Sequence, residues 1–333
     1  MTLPTRQLGT LTVSAIGLGC MNLSHAYGTP PPADEGARLL NRALDLGVTL
    51  LDTAALYGGG RNEALIADAV GHRRGDYVLA SKCVLGLREG KRILDGSPEA
   101  IAWSIDQSLQ RLRTDHIDLM YLHRADPAVP IEDSVAALVR AKEAGKIGAL
   151  GLSEMASDTI RRAHAVHPVT AVQTEYSPAV RNPEIAVLET CRALDIGFVA
   201  FSPVGRGLLA GGVRDDAYAS GDLRLSMPRF TGENLRHNLS IAARFADLAS
   251  SLGITPAQLS LAWLLARGAI PIPGTTSVAH LEEDVGAAEV TLPAEAIAAV
   301  EAILPPGKLR GARYPRAAQA QVTTETFPDE ELA

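Results

Sequence analysis

Asp52, Tyr57, Lys82 and His123 are residue types that can do acid and carbonyl chemistry together. A tyrosine phenol has an ordinary pKa of about 10, and an ammonium beside it favours the phenolate, so Lys82 next to Tyr57 would lower that value. Asp52 would hold Lys82 charged and oriented, and His123 could donate a hydrogen bond to an oxygen beside the phenol. Such a set supplies a general acid and a polarising donor for a carbonyl. Each residue also has a plainer reading. Asp52 before Thr53 can cap a turn, Tyr57 can pack a loop, Lys82 can be a solvated strand end, and His123 can be a hydrogen-bonded core histidine. Their shared position in the chain pattern, with Ser153, Gln173 and Ser202 in the same register, favours chemistry.

That position is the end of a strand, or for Tyr57 the loop five residues beyond one. Strand-like apolar runs fall at 15–19, 48–52, 77–82, 117–123, 147–153, 171–175, 197–202 and 269–273, with helical patterns between them. Alternation of this kind builds βαβ units and a parallel sheet. Ser97-Pro98 opens one helix by capping, with Ile101, Ile105, Leu109 and Leu112 on one face; Asn182-Pro183 and Thr255-Pro256 open others the same way. Gly47, Gly145 and Gly197 stand where a left-handed residue would close a helix before the next strand. The fold class expected is α/β, a (β/α)8 TIM barrel with an N-terminal hairpin over 7–13. A long insertion separates strands seven and eight, read as a loop over 203–237 leading into a helix from about 238. The whole of 1–333 reads as a single domain, with a barrel over about 6–304 and a tail over 305–333 that lacks periodicity. In such a barrel the carboxyl ends of the strands carry the active site.

Other chemistries fail on their own motifs. Gly17-Leu18-Gly19-Cys20-Met21-Asn22 has Asn where a dinucleotide fingerprint needs its third glycine. Gly86 to Lys91 is one residue short of a phosphate-binding loop and is followed by Arg92 instead of Ser or Thr. Gly58-Gly59-Gly60 reads as a loop spacer, and His164 and His167 as a surface pair, with no metal site expected. Cys20, Cys83 and Cys191 have no paired spacing and read as reduced, mostly buried thiols. The net charge of −7 without a basic stripe excludes a nucleic-acid partner. No run of 18 apolar residues and no signal-peptide core occur, so no membrane partner and a cytoplasmic location are expected. The sequence assigns no oligomeric state.

Several segments resemble successive motifs of the aldo-keto reductases. They are Gly17-Leu18-Gly19-Cys20-Met21, Asp52-Thr53-Ala54-Ala55-Leu56-Tyr57-Gly58, Asn62-Glu63, Leu79-Ala80-Ser81-Lys82, Asp118 to His123, Gly151-Leu152-Ser153, Gln173 to Ser177, Phe201-Ser202-Pro203 and Pro271-Ile272-Pro273-Gly274-Thr275. The likeness is to the bacterial and plant branch with this Gly-Leu-Gly-Cys-Met opening and a long C-terminal cofactor loop. It implies reversible NAD(P)H-dependent reduction of an aldehyde or ketone, a small-molecule carbonyl substrate, with Tyr57 as general acid, Lys82 and Asp52 tuning it, and His123 orienting the carbonyl. It further implies that Ser153 and Gln173 hold the nicotinamide carboxamide and Phe201 stacks on the ring. Ser202, Pro203, Val204, Arg206 and Gly207 would wrap the pyrophosphate. Gly274, Thr275, Thr276, Ser277, His280, Glu283 and Asp284 would hold the adenosine end.

Two departures from the family pattern bear on the cofactor. Glu154 follows Ser153 where many relatives have Asn, and a carboxylate cannot donate to the carboxamide oxygen. After Pro-Gly-Thr the chain offers Thr276 and Ser277 but no Lys or Arg for a 2′-phosphate. NADPH is the family expectation, and NADH use stays open; Thr276 and Ser277 could instead cap the following helix. Substrate contacts are expected from Met21, His25, Tyr27, Val84, Leu85, Arg124 and the 205–237 insertion, with Arg124 either facing an anionic substrate or paired with Asp126. A cofactor-binding redox sensor of the same fold is the competing reading, and a barrel isomerase a more distant one.

Overall fold

The computed structural model describes residues 3–88 and 90–332. A hairpin of β1 (Thr5–Leu8) and β2 (Leu11–Ser14) opens the chain. Gly9 turns it at φ +57°, and a Cβ there would lie 2.7 Å from Thr170 O. Barrel strands and helices then alternate. First come β3 (Leu18–Gly19), α1 (Ala33–Asp45), β4 (Leu50–Asp52), α2 (Arg61–Val70) and β5 (Val78–Cys83). A second hairpin, β6 (Leu85–Arg88) and β7 (Lys91–Leu94), precedes α3 (Pro98–Leu112). Next are β8 (Ile117–Leu122), α4 (Ile131–Glu143), β9 (Ile147–Ser153), α5 (Ser157–Val166), β10 (Ala171–Glu175), α6 (Val187–Ala193) and β11 (Gly197–Phe201). The chain continues through α7 (Gly232–Ser251), α8 (Pro256–Ala266), β12 (Ile270–Pro271), α9 (Val278–Gly286), α10 (Ala294–Ile303) and α11 (Arg316–Gln319).

The eight barrel strands lie parallel in the order β3-β4-β5-β8-β9-β10-β11-β12. The seam between the last strand and the first is bridged by Gly17 N–H to Pro271 O at 3.0 Å and Gly19 N–H to Pro273 O at 2.9 Å. The two seam strands are much shorter than the runs 15–19 and 269–273. Pro271 and Pro273 have no N–H to give the ladder, which confines regular pairing to a few bonds. Inside the barrel, Leu50, Ala80, Leu119, Tyr121, Ala149, Val199 and Ile270 fill the core, and Leu8 and Val13 of the first hairpin close its floor. Outside, Leu39, Leu40, Leu51, Ile105, Leu138 and Trp263 belong to the larger core cluster between strands and helices.

The capping signals acted locally. Ser97 Oγ accepts from Ala100 N–H at 3.3 Å, and Thr255 and Gln258 cap each other reciprocally at 3.2 Å. Elsewhere the structure departs from the expectation. Asn182–Glu184 forms only a 3₁₀ turn, and α6 starts at Val187. The insertion carries 3₁₀ turns at Gly205–Ala210, Leu223–Ser226 and Pro228–Phe230, and its helix begins at Gly232, not near 238. Among the described residues no single helix is long and apolar enough to cross a membrane.

Candidate functional site

A cavity of about 570 Å³ opens at the carboxyl ends of the barrel strands. Strand β4 delivers Asp52 to it and β5 delivers Lys82 behind it, both buried. The Lys82 ammonium donates to Asp52 Oδ1, to Thr53 O at 2.9 Å and to the Tyr57 hydroxyl at 3.3 Å. The other Asp52 oxygen accepts from Gln173 Nε2 at 2.7 Å. Tyr57 is turned back over Lys82 by Gly58, Gly59 and Gly60 at φ +58°, +65° and +90°, a reversal that side-chain-bearing residues resist. The triple glycine is thus a steric device for the phenol.

Asn62 and Glu63, at the start of α2, lock this turn from behind. Asn62 donates to Cys20 O at 2.8 Å and Ser24 Oγ at 2.6 Å, and accepts from Thr53 Oγ1 at 2.6 Å. Glu63 accepts from Ser81 Oγ and from Arg111 Nε, each at 2.6 Å. Both side chains are fully buried, so the loop is tied to β3, β5 and α3 by satisfied polar groups.

Electrostatics divide the four residues. Burial works against the Lys82 ammonium, but the Asp52 carboxylate and Tyr57 more than offset it, so Lys82 titrates above the usual lysine range. Burial pushes the Tyr57 phenol up, Lys82 pulls it back and Asp52 raises it again, for a net upward shift. The expected lowering by Lys82 exists as a contribution but does not win against burial, to which the Asp52 carboxylate adds. The His123 imidazole is held well below its usual range, by burial first and then by Arg124, Lys82 and Arg92. It is neutral at pH 7, stands edge-on to the Tyr57 ring at 5.9 Å between centroids, and its buried Nδ1 has no partner among the described residues.

The rest of the cavity collects nearly all the other expected residues. Ser153, Gln173, Phe201, Ser202, Pro203, Val204, Arg206 and Gly207 line one side, and Gly274, Thr275, Thr276, His280, Glu283 and Asp284 line the far end. Ser277 does not line it. Its hydroxyl caps α9, accepting from His280 N–H at 3.4 Å, while Thr275 Oγ1 accepts from Ser277 N–H at 3.0 Å. Burial and neighbouring Glu283 raise the Asp284 carboxyl to about 8. Ser202, Gly205, Arg206 and Gly207 all have positive φ, making a concave backbone turn of the kind that faces amides towards anions. The Arg206 guanidinium, however, is spent on Glu175 at 3.1 and 3.2 Å and on Tyr314 OH at 2.9 Å.

Glu154 faces away from the cavity. It accepts from Glu175 N–H at 2.9 Å, Arg313 Nη2 at 3.0 Å and Thr324 Oγ1 at 2.9 Å. The residue after Ser153 therefore anchors the C-terminal tail. Val84 also turns into the core, at φ +76°, whereas Leu85, Met21, His25, Tyr27 and Arg124 line the cavity. Arg124 is not paired with Asp126, which accepts instead from Gly96 and Ala128 N–H at 2.9 Å each. Sequence reasoning missed Arg92 on β7 and the tail residues Tyr314, Pro315, Ala318 and Gln321, all on the cavity wall. Gly90 between two short runs was a hairpin signal for the first; the tail gave no periodic signal at all.

Asp52, Tyr57 and His123 thus line one cavity with Lys82 behind them. The family model described as the aldo/keto reductase family matches residues 15–305. The chain belongs to the aldo/keto reductase family. Among its relatives in that family of oxidoreductases, the aldo-keto reductase yakc [NADP(+)] of Schizosaccharomyces pombe is 42% identical over 98% of this chain and 99% of its own. Probable aldo-keto reductase 1 of Glycine max is 40% identical over 92% and 91%. Among solved structures, the glycerol dehydrogenase AKR11B4 of Gluconobacter oxydans superposes with a TM-score of 0.82 at 26% identity, covering 99% of this chain and 98% of that one. The holo form of the aldo-keto reductase AKR11C1 from Bacillus halodurans gives 0.72 at 27%, over 91% and 96%.

Proposed function

We propose that this aldo/keto reductase reduces an aldehyde or ketone to the alcohol, reversibly, with Tyr57 as general acid. The observation that carries this is the Lys82 ammonium bonded to both Asp52 and the Tyr57 hydroxyl, with neutral His123 beside the ring at the cavity floor. A phenol that keeps its proton at pH 7 can protonate the carbonyl oxygen, and Lys82 stabilises the phenolate left behind. His123, neutral, donates to the same oxygen and orients the carbonyl.

The cofactor assigned is NADP(H), in keeping with the yakc relative's name, and when bound it supplies the hydride. The residues present fit it. The turn of positive φ over Ser202–Gly207 suits the pyrophosphate, and Phe201 offers an apolar face for the ring. Gln173 has its NH₂ on Asp52, which leaves its oxygen to accept from the carboxamide, and Ser153 lies on the same wall. Thr276 and His280 stand where a 2′-phosphate would be met, with hydroxyl and imidazole but no fixed cation. Fluorescence titration with NADPH and NADH, followed by carbonyl turnover by wild type and Tyr57→Phe, tests the reading. NADPH binding with turnover that falls on the order of 100-fold in the variant is expected. Turnover within about threefold of wild type would remove Tyr57 from the chemistry, and cofactor binding without any carbonyl turnover would favour a redox sensor.

A further inference from the structure

Two arginines at the cavity have no carboxylate partner among the described residues. Arg124, directly after His123, donates from Nη1 to His123 O at 2.6 Å and Ser153 Oγ at 3.3 Å; its Nε and Nη2 make no hydrogen bond among the described residues. Arg92 stands at the rim on β7, with Nη2 on Gln321 Oε1 at 2.9 Å. The other cavity cations are neutralised in place: Lys82 by Asp52, Arg206 by Glu175 and Arg224 by Asp222. Among the described residues the other acids on the wall, Glu283 and Asp284, pair with neither arginine. Arg92 and Arg124 are close enough for each other's field to matter, since Arg124 adds to burial in lowering Arg92, and both depress His123. The hairpin that carries Arg92 also carries Arg88 and Lys91, with Glu89 as its one acid in sequence. A chain of net charge −7 thus presents two arginines, Arg92 and Arg124, on the wall of its candidate reaction centre.

The cofactor does not account for these arginines. Its phosphates would lie along Ser202–Gly207 and near Thr276, and the carboxamide beside Ser153 is neutral. We propose that Arg124 and Arg92 form a subsite for an anionic group on the carbonyl substrate, a carboxylate or a phosphate ester, so that the preferred substrates are oxo acids or aldehyde phosphates. The assignment rests on the reductase reading above. Arginine forks suit such oxygens.

The experiment compares kcat/KM for 4-carboxybenzaldehyde and short ω-oxo acids with that for their methyl esters, and for glycolaldehyde phosphate with glycolaldehyde. Wild type should favour the anion by about tenfold or more, expressed mainly in KM and weakened by added salt. Arg92→Gln should cut the ratio at least threefold with ester turnover kept. The pair Arg92→Gln/Arg124→Gln should bring the ratio to about one, and using the ratio cancels any general damage from loss of the Arg124–Ser153 contact. A preference for the acids alone, or for the phosphate alone, identifies which anion is read. A wild-type ratio near one, or a ratio unchanged in the double variant, overturns the subsite. Equal losses for acid and ester in Arg92→Gln would also overturn it, by showing that the arginine only tunes His123 and Tyr57. Should no carbonyl be turned over, the reductase reading fails, and thermal shift with 4-carboxybenzyl alcohol against its methyl ester decides the subsite separately. Stabilisation by the acid that the double variant loses supports it; equal shifts reject it.

Discussion

Lys82 sits where a lysine is costly, about 1% exposed, and Asp52 is what makes the position tolerable. Lys82→Met would leave the Asp52 carboxylate buried with only Gln173 as a partner. A loss of about 3–5 kcal/mol is expected, read as a lowered urea midpoint, and it would accompany the loss of activity. The same residues set a pH profile. His123 is shifted well below the usual histidine range, so it stays neutral as the pH falls through about 6.5. Tyr57 is shifted upward, so it keeps its proton until the pH passes about 10. The rate of carbonyl reduction should be level from about pH 6 to about 9 and fall only on the alkaline side. An acid limb centred near 6.5 would contradict the neutral-histidine assignment.

At the level of elements, the closing seam and the C-terminal tail decide how the mouth is held. Gly19 lies on the seam, where a Cβ would sit 2.8 Å from Ile272 O, a backbone atom that cannot swing away. Gly19→Ala is expected to cost about 1–3 kcal/mol, and thermal unfolding would show it. Gly151, on β9, faces the Tyr121 ring with no room for a side chain. The tail is fastened by a buried group of charges: Arg313 between Glu154 and Glu175, with Arg206 on Glu175. Arg313→Met removes one cation from two buried carboxylates. It should destabilise by about 3–5 kcal/mol and raise KM for cofactor or substrate, because Tyr314, Pro315 and Gln321 are cavity wall. Unchanged KM in a folded variant would show that the tail merely covers the mouth.

For the molecule as a whole, these buried charges predict acid lability. Glu175 is drawn down to about 2 by Arg206 and Arg313 against the penalty of burial, whereas an unfolded Glu titrates near 4.3. Its contribution is therefore present above about pH 4.3 and is lost as the pH falls towards 2. His123 acts in the same direction from a higher pH, since the unfolded chain takes up its proton below about 6.5 and the folded chain does not. Stability should decline from about pH 7 downward and steepen below about 4.3; denaturant midpoints across that span would check it. A midpoint constant between pH 7 and 5 would mean that His123 is protonated in the folded state.

The sequence by itself determined the barrel and which residues reach most of the cavity wall. Alternation of apolar runs with capped helical patterns is local, and a polar residue at the end of such a run is brought to the mouth by barrel closure alone. Asp52, Lys82 and His123 were legible for that reason, as was Tyr57 from its loop. Tertiary structure decided what depends on neighbours distant in the chain. The sign of the Tyr57 shift turned on burial and on Asp52 as well as on Lys82. Glu154 went to the tail because Arg313, 159 residues later, lies against it. Ser277 went to a helix cap, and Arg92 reached the cavity because β6 and β7 fold back over the mouth. A residue's type and spacing specify its place on a strand; what it bonds there depends on which other charges are buried beside it.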